Sequence, residues 1–373
     1  MEESCEPKFL HSPFLLLNPI YLPTMTLALF AELRAVWNWP ESTTYAPIGS
    51  GLINHTWKVV AGKEAFILQR INQAVFQRPD WIDENFGLLH TYLQAHQPEY
   101  FFTAPVPSVY GQTLWEIGDA FYRVFTFVPN THTVDTVETA EQAFEAAKTF
   151  GNFTAVLQDF DATQLRITIP DFHNLTLRYQ QFQDACKFGN PSRIKESMSL
   201  IQELHQYHHL VQQYEAFISH AQTSTRVTHH DTKISNVLFN EAGKAVCVID
   251  LDTMMPGYFI SDLGDMYRTY VCPVSEEEKD FSKILVREDC CRAIEEGYLS
   301  VMGDVLSDWE KKHIRFSGHF IVYMQALRFL TDHLLNDGYY GAKYPGHNYV
   351  RAGNQVHLLR ALMKRESTII NRQ

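Results

Sequence analysis

His229-His230-Asp231-Thr232-Lys233-Ile234-Ser235-Asn236 and, one hairpin later, Ile249-Asp250-Leu251-Asp252 form the stretch on which the reading of this chain turns. Between them lie Val237-Leu238-Phe239 and Ala245-Val246-Cys247-Val248-Ile249, strand formers parted by Asn240-Glu241-Ala242-Gly243-Lys244. That pattern predicts an antiparallel hairpin with a turn-forming loop. With the turn centred near Ala242, Asn236 falls opposite Ile249 and Asp250 lies one rung away; opposed residues sit about 5 Å apart. An amide oxygen and a carboxylate therefore meet at one edge of the hairpin, with Asp231 on the loop before it. Hard oxygen donors so placed suit Mg²⁺, which keeps several waters and completes its shell from phosphates. A carboxylate beside them, facing a cleft, accepts a proton from an incoming hydroxyl. Phosphoryl transfer requires that combination.

Upstream, Leu27 to Trp37 has helical apolar spacing. Tyr45 to Gln69 reads instead as three antiparallel strands, broken at Ile48-Gly49-Ser50-Gly51-Leu52-Ile53 and at Gly62-Lys63. Asp80 to Gln94 returns to helical periodicity, and Phe101–Val109, Leu114–Ile117 and Phe121–Val128 are further expected strands. From Thr136 the pattern is helical over Glu138–Phe153, Leu175–Phe188, Arg193–Ala221, Arg287–Met302, Asp308–Leu335 and Ala352–Arg365, with another helix opening at Asp262. The sequence thus predicts an α+β fold. A small sheet-rich part covers residues 25–130, a helical part holding the hairpin covers 131–373, and residues 1–24 read as a leader or tail. A cleft between two such parts is where a ligand is expected.

The 373 residues carry 31 Lys and Arg against 43 Asp and Glu, a net charge of −12. That balance argues against nucleic acid or an anionic membrane as partner, so phosphate must be met locally by a few cations or a metal. The hydrophobic share of 45% excludes general disorder. Six cysteines without a CxxC pair read as free thiols of a reducing compartment. No run approaches the roughly 20 apolar residues of a membrane helix, and a soluble cytoplasmic protein is expected. His205-x-x-His208-His209 spaces imidazoles along a helix, which is either a weak zinc signal or a solvated face.

Together these features resemble the aminoglycoside-phosphotransferase-like branch of the protein-kinase fold. Its signature, H-x-D-x-x-x-x-N followed by I-D-x-[DE], is matched by His229, Asp231, Asn236, Ile249, Asp250 and Asp252. The resemblance implies a protein-kinase-like fold of two lobes, an antiparallel-sheet N-lobe and a larger helical C-lobe. It implies Asp231 as catalytic base, Asn236 and Asp250 as magnesium ligands, and Asp252 as a further candidate metal ligand. His229 would pack and orient the loop, and Asp262 would pin it from below. Gly49-Ser50-Gly51 resembles the phosphate-covering loop. A protein kinase carries Lys in its third strand; here Arg70 is the candidate phosphate-pairing cation and Glu84 its partner. Phe125-Thr126-Phe127-Val128 lies where an inter-lobe hinge would hydrogen-bond adenine.

Within that branch the chain is more similar to N-acetylhexosamine 1-kinase-like proteins. Their strings D-T-K-x-S-N-V-L-F and V-I-D-L-D-T-M-M-P-G stand here as Asp231–Phe239 and Val248–Gly257. The implied reaction moves the γ-phosphoryl of ATP to the anomeric hydroxyl of an N-acetylhexosamine. His173, Arg328 and Tyr340 are the implied acceptor contacts, with Tyr344 and Asn348 nearby and Arg178 anchoring the His173 segment. The alternatives are a kinase of the same fold for an aminoglycoside, choline or ethanolamine, homoserine or a methylthiopentose, and a non-catalytic nucleotide-binding protein.

Overall fold

A computed structural model describes residues 25–48 and 54–370 of the chain. The expected leader and the loop Gly49-Ser50-Gly51 lie outside the described residues. The chain opens with α1 (Leu27–Val36), whose first turn is capped by the Thr26 hydroxyl accepting from the Leu29 amide. Next come β1 (Thr44–Pro47), β2 (His55–Ala61), β3 (Glu64–Arg70), α2 (Pro79–His96), β4 (Trp115–Ile117) and β5 (Ala120–Thr126). The five strands form one antiparallel sheet in the order β1-β2-β3-β5-β4. Strand alternation gives the sheet two unlike faces. Trp57, Val59, Leu68, Tyr122 and Val124 pack with Phe30 and Leu33 of α1 in one core. Phe121 and Phe125 face the other way and join the core of the helical part.

The helical part begins with β6 (Thr131–His132), α3 (Ala140–Val156), α4 (Leu175–Phe188), α5 (Pro191–Glu196), α6 (Met198–Gln206) and α7 (His209–Ser219). It continues with β7 (Arg226–Thr228), β8 (Val237–Asn240), β9 (Ala245–Val248), β10 (Met255–Gly257) and α8 (Phe259–Tyr270). It ends with α9 (Glu288–Met302), α10 (Asp308–Lys311), α11 (Ile314–Leu334) and α12 (His347–Ile370). The hairpin has the expected register. Val237 pairs with Val248 and Leu238 with Cys247, and the Ile249 amide donates to the Asn236 carbonyl at 2.9 Å.

Three expected elements differ, the simplest being Asp308–Leu335, which is broken at Lys312 and His313 into α10 and α11. Phe101–Val109 is not a strand but an extended segment touching the sheet at Pro105, because Pro105 and Pro107 remove ladder donors. The single helix expected over Arg193–Ala221 is three. Its apolar stripe, Leu200, Ile201 and Leu204, would continue near position 208 in an unbroken helix but resumes at Leu210 and Val211, so the chain turns at Tyr207 and His208. That turn sends His205 to the Tyr179 hydroxyl at 3.0 Å, and no metal-holding cluster of His, Cys, Asp or Glu occurs among the described residues. No described helix is long and apolar enough to cross a membrane.

α8 carries the loop-pinning carboxylate described below, and its contact with α11 runs through Gly264. A Cβ there would clash with the Ser317 carbonyl and meet Ile321 Cγ1 at 2.5 Å. Gly264→Ala is expected to destabilise the fold by about 1–3 kcal/mol, the range for overpacking. Thermal denaturation checks this; an unchanged melting temperature would show the helices free to separate.

Candidate active site

The loop between β7 and β8 is shaped by hydrogen bonds to its backbone. Asp262, 1% exposed, accepts from the His229 amide at 3.0 Å and from the His230 amide at 2.6 Å. Its carbonyl accepts the Thr232 hydroxyl at 2.7 Å. Burial pushes the Asp262 carboxyl up to about 6, against the opposing pull of the two backbone donors. The His229 ring is 0% exposed, edge-on to Phe150. Its Nδ1 accepts from the Asp231 amide at 3.3 Å and its Nε2 donates to the Ile249 carbonyl at 3.0 Å, a pattern that fits the neutral tautomer. His230 takes φ 67 and lays its ring on Gly257, where a Cβ would stand 2.5 Å from Cε1. Only glycine fits there.

Asp231 emerges from this loop half-buried. Its Oδ2 receives the Lys233 ammonium at 2.8 Å and the Asn236 amide nitrogen at 3.1 Å; that same nitrogen also donates to the Asp231 carbonyl at 2.8 Å. Burial raises the Asp231 carboxyl, but the charge and hydrogen bond of Lys233, added to other positive charge such as Arg268, together hold the group below its usual range. With its nitrogen spent on Asp231, Asn236 presents its oxygen as the acceptor end. Asp250 stands at φ 61, its carboxylate 4.0 Å from Lys233. Burial, and after it the Asp252 charge, pushes Asp250 up to about 6.

The neighbouring assignments need correction. Asp252 is 1% exposed and both its oxygens are engaged, Oδ1 by Arg123 at 2.5 Å and Oδ2 by the Asn54 amide at 2.7 Å. It is the counter-ion of a cation rather than an available metal ligand. Arg70 shares its strand face with Leu68, opposite Tyr122 and His55, on the side covered by α1. It does not meet Glu84, which pairs with Arg166 at 2.9 Å in an exposed bridge. One residue on, Asn85 turns inward and donates to the carbonyls of Arg166 and Met254. The buried cation on the cleft side of the sheet is Arg123, which donates through Nε and Nη2 to Gln69 of β3 at 3.1 and 2.8 Å. Its signal was a lone charge inside the apolar run Phe121-Tyr122-Arg123-Val124-Phe125. The Phe127 amide is donated to the Ala65 carbonyl, and Phe125 belongs to the β3–β5 ladder with its ring against Phe86. Neither amide is left to meet a base.

Beyond Asp231 a second group of side chains converges. His173 Nδ1 lies 3.4 Å from His230 Nδ1, and its ring stacks on Phe172. Burial first, then His230 and the nearby arginines, keep His173 neutral, well below its usual range. The Arg328 guanidinium lies over Phe172, Tyr339 and Tyr340 at 5.7, 5.6 and 5.4 Å. Asp332 accepts the Tyr339 and Tyr340 amides at 2.6 and 2.9 Å and so sets the loop that carries them. Asn348, 0% exposed, donates to Asp332, Asp337 and the Gly341 carbonyl, which makes it part of the loop's frame.

Residues 44–283 match the model of the phosphotransferase enzyme family. This chain belongs to that family. Solved structures of the same fold include a spectinomycin phosphotransferase in complex with ADP and spectinomycin, at 12% identity and TM-score 0.59, covering 92% of this chain and 99% of that one. A microcompartment-associated aminopropanol kinase matches at 15% identity and TM-score 0.59, covering 92% and 98%. A choline kinase from Cryptosporidium parvum Iowa II matches at 11% identity and TM-score 0.56, covering 92% and 96%. The chain is therefore a phosphotransferase-family protein with the α+β, protein-kinase-like fold of these enzymes.

For this phosphotransferase the donor chemistry fits a divalent cation. The amide oxygen of Asn236 and the carboxylate of Asp250 are hard ligands, and the mutual repulsion of Asp250 and Asp252 is relieved by positive charge. Because the folded chain holds the Asp262 proton more tightly than the unfolded one, that group favours folding below pH 4, and its contribution is lost as pH rises through about 6. Asp262→Asn can accept only one of the two loop amides, which leaves a buried donor unsatisfied at a cost of about 1–3 kcal/mol. The expected outcome is a lower melting temperature and a flatter stability profile between pH 4 and 6. Identical profiles for the two proteins would remove Asp262 from the role of loop anchor.

Proposed function

We propose that this phosphotransferase moves the γ-phosphoryl group of ATP to a sugar hydroxyl, and that the acceptor is the anomeric hydroxyl of an N-acetylhexosamine. The observation that carries the reading is the position of Asp231. Its carboxylate is held by Lys233 and Asn236, Lys233 also reaches Asp250, and the ring of the preceding His230 meets His173 of the His173–Arg328–Tyr340 group. In this reading residues 25–130 bind nucleotide, and 131–373 carry the loop and the acceptor pocket. Magnesium, held by Asn236 and Asp250, would supply charge neutralisation at the phosphates. Asp231 accepts the acceptor hydroxyl proton as the oxygen attacks phosphorus, and its depressed basicity keeps it ionised and ready at neutral pH. Lys233, touching both carboxylates, stands where phosphate charge accumulates. His173, neutral and fixed by His230, offers a hydrogen bond to a sugar oxygen.

Pocket charge supports a neutral acceptor over an amine. The similar structures carry names that include spectinomycin, aminopropanol, choline and ethanolamine, all amines. An ammonium group needs carboxylates or open aromatic faces. Here the Phe172, Tyr339 and Tyr340 faces are occupied by Arg328. Arg178 stands close by, lowered to about 10 by burial and then by repulsion from Arg328. Neither arginine makes an ion pair within 4.0 Å of a carboxylate among the described residues; the nearby acid Glu276, which feels the Arg328 charge, is itself paired with Arg268 and Arg351.

Asp231→Asn is expected to lower kcat by about 10²–10⁴, the usual contribution of a general base, with nucleotide affinity retained. Near-normal turnover would take Asp231 out of that role. Tyr340→Ala is expected to raise the sugar KM more than the ATP KM, and the reverse would move the acceptor pocket elsewhere. ADP release with magnesium-ATP should depend on N-acetylglucosamine or N-acetylgalactosamine. Release driven by choline, ethanolamine or an aminoglycoside instead would replace the sugar reading.

A further inference from the structure

Asp252 is the meeting point of three segments of the chain. Its Oδ2 accepts from Asn54, the first described residue after the glycine turn, and its Oδ1 faces the Arg123 guanidinium on β5. Its backbone carbonyl accepts the Thr168 hydroxyl at 3.0 Å. Asn54 in turn accepts from the Asn72 amide at 3.0 Å, just beyond β3. One buried carboxylate thus ties the end of the glycine turn, the sheet and the helical part together.

Two residues earlier in the same turn stands Asp250, in a left-handed conformation. A non-glycine residue holds that conformation only where its surroundings over-determine it. On its C-terminal side, the described partners of the turn that cross to the sheet lobe are the Asp252 pair and the Asn85 bond to the Met254 carbonyl. At 3% and 1% exposed, Arg123 and Asp252 form a desolvated pair. A buried ion pair is weak as glue, since apolar residues of similar volume often stabilise as well; geometry is fixed here by the directional bond from Asn54 to Asp252 Oδ2 and by those from Arg123 to Gln69, while Oδ1 meets Arg123 as a charge contact. Arg123 Nη1 and Asp252 Oδ1 both lack a hydrogen-bond partner among the described residues, which makes the pair one of the under-satisfied buried groups of the fold. A pair kept for packing alone would not be built this way.

We propose that Arg123, Asp252 and Asn54 are positioning residues: a latch between the lobes that sets the turn presenting Asp250, so that binding of the metal–phosphate part of a nucleotide depends on it and binding of the nucleoside part does not. The proposal rests on the nucleotide-binding reading above. It gives the second acid of the Asp250-Leu251-Asp252 string a role in geometry instead of coordination, and it places the cation of the sheet on β5.

Titration calorimetry with Mg-ADP and with adenosine tests the latch without turnover. The proteins compared are the native chain, Asp252→Asn, and the double variant Arg123→Met with Asp252→Leu. Asp252→Asn is expected to bind Mg-ADP at least tenfold more weakly while its adenosine affinity stays within twofold of native. The double variant removes both charges together, so its melting temperature should lie near or above the native value while the tenfold loss for Mg-ADP persists. Native-like Mg-ADP binding in the double variant would show the pair to be structural only and overturn the proposal. Equal weakening of both ligands in Asp252→Asn would do the same. Should the double variant fail to fold, Asp252→Asn decides alone. A native chain that binds neither ligand would refute the nucleotide reading itself, an outcome distinct from failure of the latch.

Discussion

Two backbone amides, those of His229 and His230, converge on the buried carboxylate of Asp262, and the active-site arrangement hangs on that contact. Without it the loop after β7 would have no reason to hold His230 at φ 67 or to deliver Asp231 into the cleft. The anchor lies early in α8, and α8 is itself fixed against α11 through Gly264. Packing deep in the helical part therefore sets the position of a carboxylate at the surface of the cleft. The neutral His229 ring completes the support by bridging the Asp231 amide and the Ile249 carbonyl, which ties the loop to the far strand of the hairpin.

The electrostatics divide the site into regions with different tasks. Asp231 is kept ionised by Lys233, and Asp250 is held above its ordinary range by burial and by Asp252. In the proposed reaction the first would take a proton and the second would meet a cation. Around Phe172, Tyr339 and Tyr340 the aromatic faces meet the Arg328 guanidinium, with Arg178 close by and Glu276 within reach of the Arg328 charge. The net charge of −12 gives no hint of this local pattern. Charge at the site is placed residue by residue.

What could be read from the chain alone follows from the length scale of each signal. The hairpin register was legible because alternation and a short turn leave one way to pair Val237 with Val248, and Asn236 then falls opposite Ile249. Membership of the phosphotransferase family was legible because the loop and hairpin residues are close in sequence. The Arg70–Glu84 pairing failed because it depends on which strand face meets the cleft, and that is decided by α1 covering the Leu68 side. Asp252 was assigned to metal because its partners, Asn54 and Arg123, come from distant segments that no local spacing reveals. The strand expected at Phe101–Val109 failed for a nearer reason, since Pro105 and Pro107 were already visible.

In the proposed site Asn236 and Asp250 grip a divalent cation while Asp252 belongs to Arg123 and Asp231 faces the acceptor. A crystal structure with magnesium and a non-hydrolysable ATP analogue tests this most directly. The expected result is a cation bound by the Asn236 amide oxygen and the Asp250 carboxylate, the γ-phosphate between it and Asp231, and the Arg123–Asp252 pair intact. A cation coordinated by Asp252, or a nucleotide bound away from Asp231, would contradict it.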